Sequence, residues 1–302
     1  MTDIVYEIDG LTKTFGRKTV VNDVSFSVER GEMFGILGPN GSGKTTSIRM
    51  SLGIIRPDSG TVTILGSHPQ RSVLRKVGYL PEERGLPKTK KVIDSLRYLG
   101  RLKGMTSTEA VDSATALLDR VGMLEHKLKK IDQLSRGMTQ MIQFVAALIH
   151  DPEFIILDEP FAGLDPLNVE LMKEILHERQ RSGTTIMFST HIMSDVEELC
   201  ERVALISDGK RLLFGNLAQI RREHGTKSIQ VDAEDIPDRL QVHNPKSMGN
   251  GTVEYLIEDD RTADSILQSY SEAGIRVDRY ERMLPSLNDI FIEEVANART
   301  IS

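Results

Sequence analysis

Residues 38–45 read Gly-Pro-Asn-Gly-Ser-Gly-Lys-Thr and match the phosphate-binding pattern G-x-x-x-x-G-K-[ST] at every defined position. Glycines 38, 41 and 43 let the backbone curl until successive N–H groups point inward, and the turn opens a helix whose N-terminal partial charge faces the same cavity. The stretch Gly38, Pro39, Asn40, Gly41, Ser42, Gly43, Lys44, Thr45 and Thr46 is thereby expected to wrap a polyphosphate. Lys44 would reach the terminal phosphates, and the Thr45 hydroxyl would ligate the magnesium ion that accompanies ATP. A second cluster ends the run Phe154-Ile-Ile-Leu-Asp-Glu-Pro160. A buried strand that terminates in two carboxylates places them at the carboxyl edge of a sheet, where ligands of open α/β sheets bind. Asp158 can then orient magnesium, and Glu159 can take the proton of an attacking water. Alone, such a pair caps a helix or ends a turn; beside a phosphate loop the hydrolytic reading prevails.

The elements that must hold these groups are legible around them. Met33–Leu37 is an apolar run read as a buried strand, and Thr45–Leu52 reads as the helix behind the loop. Ile4, Tyr6 and Ile8, and again Val24, Phe26 and Val28, alternate with polar residues as half-buried antiparallel strands do. Thr61–Leu65 and Val77–Leu80 predict further strands, whereas residues 89 to 150 are helical in pattern, with Gly104 and Gly122 as breaks and Ser135 as an N-cap. Within that stretch Met138, Met141, Ile142, Val145, Leu148 and Ile149 form a core stripe on one helix face. Phe154–Leu157 and Thr185–Ser189 predict buried parallel strands on either side of a helix at Pro166–Ser182. Val203–Ser207 leads through the turn Asp208-Gly209 into Arg211–Phe214.

Beyond Gly215 the character changes. Ser228–Val231 and Thr252–Ile257 alternate, Thr262–Ala273 is apolar at helical spacing, and Leu287–Ala296 predicts a last helix. The expected fold is α/β: a P-loop NTPase core with an antiparallel β subdomain and a helical insert at about 87–150, all within residues 1–215, followed by a small C-terminal accessory α+β domain in residues 216–302.

Bulk composition excludes other classes. At 302 residues the chain is long enough for such a core plus a smaller unit. Hydrophobic content of 39% and charged content of 27% are those of a globular protein rather than a disordered one. A net charge of -6 argues against nonspecific nucleic-acid binding and against a polybasic membrane surface, although an overall balance is silent about local patches. The single cysteine, Cys200, can form no internal disulfide and is expected to be a small buried residue on a helix. No segment approaches the roughly 18 to 20 consecutive apolar residues of a transmembrane helix. Any membrane span is therefore expected on another chain.

Three further segments narrow the class. Leu134-Ser-Arg-Gly-Met138 precedes the second strand motif, Ala162-Gly-Leu-Asp165 follows it, and Ser189-Thr-His191 ends the next strand. In this order, and with the phosphate loop, they resemble the ATP-binding cassette (ABC) family across residues 4 to 215. The resemblance implies that Phe15 stacks on adenine and that Ser135 and Gly137 of the signature segment contact the γ-phosphate held by an opposite subunit. It also implies that Asp165 shapes a dimer interface and that His191 hydrogen-bonds the γ-phosphate. Glu82 stands where the family usually has a glutamine, and Arg136 and Met138 stand where it usually has a glycine and a glutamine. Glu82 is accordingly expected near magnesium, ligating it or held by a basic group such as Arg84.

Similar substitutions and a C-terminal extension occur in the sodium-efflux and drug-efflux exporter branch. The function so implied is ATP hydrolysis by the nucleotide-binding subunit of an exporter, using ATP and Mg2+. Its expected partners are an integral membrane permease and a second ATPase subunit, identical or different, and no nucleic acid. Its expected place is the cytoplasm, peripheral on the cytoplasmic face of the cell membrane. The alternative is a soluble mechanochemical ABC ATPase, for which the paired cassettes, coiled-coil insertion or zinc modules are missing. An ATP-binding switch without turnover is disfavoured by the intact set Lys44, Asp158, Glu159 and His191.

Overall fold

The computed structural model describes residues 3–300 except 84, 225–226, 244, 250 and 258–259. The chain divides into two units, residues 1–216 and 217–302, each with its own hydrophobic cluster.

In the first unit, alternation produces two long strands, β1 (Ile4–Phe15) and β2 (Lys18–Glu29), paired antiparallel. The short strand β3 (Met33–Leu37) is buried along its whole length and delivers the chain into the phosphate loop and α1 (Lys44–Ser51). β4 (Ser59–Ile64) returns to pair with β1, giving a three-stranded sheet in the order β2-β1-β4. After α2 (Arg71–Leu74) and β5 (Val77–Leu80) come α3 (Val92–Leu102), α4 (Ser107–Arg120), two 3-10 turns (Leu124–His126 and Ile131–Gln133) and α5 (Arg136–Leu148). The remaining elements are β6 (Phe154–Asp158), α6 (Pro166–Arg181), β7 (Thr185–Thr190), α7 (Met193–Leu199), β8 (Arg202–Ser207) and β9 (Lys210–Asn216).

Six strands form the main sheet in the order β5-β6-β7-β3-β8-β9, parallel except for the final β8–β9 hairpin. β3, β6 and β7 are buried end to end, as strands covered on both faces must be. Register sets the site: Leu37 pairs with Thr190, and Asp158 pairs with Ser189, so the ends of three strands finish level. An aromatic seam joins the two sheets. Tyr6 lies 5.7 Å from Phe26 and 5.8 Å from Phe154, and Phe26 stacks on Phe34 at 5.4 Å. The Tyr6 hydroxyl sits 2.6 Å from Ser51 Oγ, which fixes the far end of α1.

Helix starts follow their caps. Thr106 and Glu109 form a reciprocal box at α4, with Glu109 N donating to Thr106 Oγ1 at 3.2 Å and Thr106 N to Glu109 Oε2 at 2.8 Å. Ser135 caps α5 by accepting from Met138 N at 3.2 Å. The expected one-sided stripe on α5 is too narrow a description, because residues 139–145 are all buried, Gln140 and Gln143 among them. Cys200 is buried as expected but stands just past α7 in extended backbone rather than on a helix. Ile4, read as an inward strand position, is 40% exposed because it begins the strand.

The second unit contains α8 (Leu217–Glu223), β10 (Lys227–Ala233), a 3-10 turn (Asp238–His243), β11 (Lys246–Gly249), β12 (Thr252–Ile257), α9 (Asp260–Glu272), β13 (Val277–Met283) and α10 (Leu287–Thr300). Its antiparallel sheet runs β11-β12-β10-β13 and packs Ile229, Val231 and Tyr255 with Ile266 and Tyr270 of α9. Both strands absent from the sequence reading, β11 and β13, are sheet edges without a buried residue, so they carry no apolar alternation to read.

Candidate functional site

The phosphate loop is shaped by close backbone approach. Gly43 has φ 109°, and a Cβ there would meet the Val20 carbonyl at 2.7 Å, so only glycine fits between β2 and the start of α1. Lys44 follows, 5% exposed, and its ammonium donates to the carbonyls of Gly38 at 2.7 Å and Pro39 at 3.2 Å. Its Nζ lies 3.6 Å from Glu159 Oε1. Burial lowers the ammonium's pKa, opposed by the negative charges of Glu159, Asp158 and Glu82.

Thr45 Oγ1 lies 3.1 Å from Asp158 Oδ1 and 3.3 Å from Glu82 Oε2, and its single proton serves one of them at a time. Asp158 is fully buried; Ser189 Oγ donates to its Oδ1 at 2.5 Å, while its Oδ2 has no hydrogen-bond partner. Burial raises the Asp158 pKa; the bonds from Ser189 and Thr45 oppose this, while the carboxylates of Glu82 and Glu159 add to it. A buried carboxylate with an orphaned oxygen beside a hydroxyl is a hard-oxygen donor set short of positive charge, which fits magnesium. Among the described residues no cluster of three His, Cys, Asp or Glu could hold a metal ion.

Glu159 is bent out of line with its strand. Its φ is 50°, the left-handed region that costs a non-glycine residue on the order of 1 kcal/mol, and its N–H is directed at both Ser189 O (3.1 Å) and Ser189 Oγ (3.2 Å). The turn swings the carboxylate between Lys44 and His191, whose Nδ1 lies 2.9 Å from Glu159 Oε2. With the carboxylate ionised, Nδ1 donates in this bond, leaving Nε2 an acceptor on the neutral ring or a donor on the imidazolium.

A cleft of about 220 Å³ opens over the loop between Val20, residues 40–46, Glu82 and Glu159. A smaller one of about 130 Å³ continues past Glu159 and His191 to Arg136, Gln140 and Ala162. The structure thus brings Lys44, Thr45, Glu82, Asp158, Glu159 and His191 together. Ser135 and Gly137 line neither cleft, and Ser135 is exposed. Asp165 is also exposed and caps α6, accepting from Asn168 N at 3.1 Å and Asn168 Nδ2 at 2.6 Å, bonds that hold its carboxyl below the usual range. Phe15 ends β1 with its ring 48% exposed and the Lys13 ammonium 5.5 Å from the ring centroid, so it is no core residue. Arg84 lies outside the described residues.

Three contributors escaped the sequence reading. Ser189 was quoted only as the first letter of the histidine segment, yet it ties Asp158 and Glu159 together. Gln140 donates to Pro160 O at 3.0 Å and Gln143 to Glu83 O at 3.4 Å, linking α5 to both carboxylate-bearing loops. Their signal was available as amides set in an otherwise apolar helix run.

Residues 21–162 match the ABC transporter family, and residues 215–295 match the C-terminal domain of DrrA1-3-like ATP-binding proteins. The uncharacterized ABC transporter ATP-binding protein YhaQ of Bacillus subtilis is 41% identical over 292 residues, 95% of this chain and 97% of its own length. Nod factor export ATP-binding protein I of Rhizobium sp. (strain N33) is 32% identical over 97% of each chain. A solved ATP-binding subunit of an ABC transporter is 30% identical and superposes on 72% of this chain and 92% of its own with a TM-score of 0.68. With a phosphate loop, strand-end carboxylates and a histidine converging on one cleft, the chain belongs to the ABC transporter family as one of its ATP-binding, ATP-hydrolysing subunits.

Proposed function

We propose that this subunit binds ATP with magnesium at an interface between two ATPase subunits and uses hydrolysis to drive a separate membrane permease in export. The observation that carries the catalytic part is the line Lys44–Glu159–His191, with Glu159 held 3.6 Å from the ammonium and 2.9 Å from the imidazole. In this reading the loop amides and Lys44 hold the β- and γ-phosphates. Thr45 and Asp158, with Glu82 beside them, hold magnesium, which neutralises phosphate charge when bound. Glu159 accepts the proton of the attacking water, and His191 fixes that carboxylate and offers Nε2 toward the γ-phosphate. Phe15 supplies an exposed ring for the adenine.

ABC ATP-binding subunits act as pairs with transmembrane components. A paired site is supported here by Ser135 and Gly137, which line neither cleft of their own chain. Ser135 and Gly137 of a second subunit would complete it, with Asp165 at the seam. The division of labour follows the two units: an ATPase domain at 1–215 with its insert at about 87–150, and an accessory domain at 216–302 that regulates or stabilises the pair. Export is favoured by a relative named for Nod factor export. Among the described residues no helix is long and apolar enough to cross a membrane. The test is detergent extraction of the native complex with identification of the co-purifying permease, coupled to phosphate release. Recovery without any membrane partner, with full basal turnover, would favour a mechanochemical ATPase instead.

A further inference from the structure

Lys88, Lys90 and Lys91 lie just before α3, and Lys127, Lys129 and Lys130 lie in the link that follows α4. The fold lays these two runs side by side in antiparallel sense. Val92 N donates to Lys129 O, Ile93 N to Lys127 O, Ile131 N to Lys90 O and Asp132 N to Lys88 O, each at 3.0 Å. Lys91 and Lys130 are the directly opposed bridge pair. Five of the six lysines are exposed, Lys127 is half-buried, and none has an ion-pair partner among the described residues. The carboxylates within the same segments are Glu125, 3.3 Å from His126 Nε2, and Asp132.

An ordinary solvated surface mixes both signs, and like charges directly opposed across a backbone pair are destabilising. A chain of net charge -6 that nevertheless gathers six cations by long-range pairing has broken a local rule, which is the mark of a functional surface. We infer that this lysine platform is a contact site for anionic phospholipid headgroups, seating the helical insert directly on a bilayer surface. The inference rests on the coupling to a membrane permease proposed above, which would hold the chain beside a bilayer, and adds a contact that needs no permease.

The chemistry favours lipid over other polyanions. Both runs use lysine and no arginine. Ammonium groups on flexible stems attract mobile phosphates as point charges, whereas a fixed carboxylate or phosphodiester is better gripped by the planar guanidinium fork. Residues 87–93 and 124–133 hold no Phe, Tyr or Trp on which a nucleic-acid base could stack. Leu128, set between Lys127 and Lys129, is 62% exposed, and an apolar side chain among cations is what an interfacial segment presents to a headgroup layer. The first run is also the continuation of the loop that carries Glu82, so a headgroup contact here adjoins the carboxylate beside Thr45.

The experiment is flotation of the purified full chain with phosphatidylcholine vesicles and with vesicles of phosphatidylcholine and phosphatidylglycerol in equal parts. The chain should float with the anionic vesicles alone and be released by molar salt. The triple variant Lys88→Gln, Lys90→Gln, Lys91→Gln should partition roughly 100-fold more weakly, about five-fold per lysine, while the corresponding Lys→Arg triple retains binding. ATP hydrolysis by both variants in solution should match the parent, which separates this inference from the catalytic reading. Equal flotation of parent and Gln variant, or no flotation of the parent, overturns it. Tighter binding of the parent to duplex DNA, or to an acidic permease segment without vesicle binding, assigns the platform to those partners and overturns it equally.

Discussion

Glu159 meets two demands that a free carboxylate could not meet together: proximity to a buried ammonium and a hydrogen bond to an imidazole. The left-handed backbone at φ 50° is what makes both possible, since an extended residue there would continue the strand into the sheet edge. Glutamine in its place keeps shape and one hydrogen-bonding oxygen but is a far poorer proton acceptor. Glu159→Gln should therefore lower turnover by at least about 100-fold while ATP affinity stays within a few-fold, and a dimer should accumulate with ATP and magnesium. Lys44→Ala should do the reverse, losing nucleotide binding and remaining monomeric. Size exclusion beside a hydrolysis assay reads both variants, and parental turnover in Glu159→Gln would remove that residue from the proton-transfer role.

Among the elements, the joint between the helical insert and the main sheet is where polar chemistry is buried outside the cleft. Lys103, at the end of α3, donates to the carbonyls of Leu74 and Val77 at 2.7 Å each, and His150, after α5, has Nε2 3.2 Å from the same Val77 carbonyl. Burial, with a smaller contribution from the Lys103 charge, pushes the His150 pKa from 6.5 down to about 4 against the opposing pull of the Val77 bond and Asp151. The unfolded chain therefore binds the extra proton first, so this histidine's stability contribution is intact above about pH 6.5 and is lost as pH falls toward 4. The loss should reach about 2 kcal/mol at pH 5. Urea midpoints at pH 7.5 and pH 5 compare the parent with His150→Gln, which should show a distinctly smaller pH dependence. An unchanged dependence would place the acid sensitivity at groups whose pKa folding lowers, such as Asp58 or Asp165.

Across the whole molecule, two separate hydrophobic clusters imply two units that need not share a fate. Every described residue that lines the clefts lies before residue 217. A chain ending at Asn216 should fold and bind ATP within a few-fold of the full chain, while pairing or regulation changes. Equilibrium nucleotide titration of the truncated protein, after its folding is checked by circular dichroism, provides the measurement. A folded fragment without nucleotide affinity would show that the second unit completes the site.

The sequence by itself determined whatever depends on neighbours along the chain. The octet 38–45 specifies its own turn, the apolar run before Asp158 specifies a buried strand with acids at its end, and Ser135 specifies a helix start through its own side chain. Tertiary structure decided the rest, because it depends on pairing between distant segments. The register of Asp158 with Ser189 and of Leu37 with Thr190 brings three strand ends level, and no local spacing announces it. The same holds for Ser189 as the tie between two carboxylates, for the partners that Gln140 and Gln143 reach from a helix read only for its one-sided core stripe, and for two lysine runs that become one surface only when the chain folds. Edge strands β11 and β13 stayed hidden for a related reason: strands without a fully buried residue leave little periodic trace, and hydrogen bonding to a neighbour makes them strands.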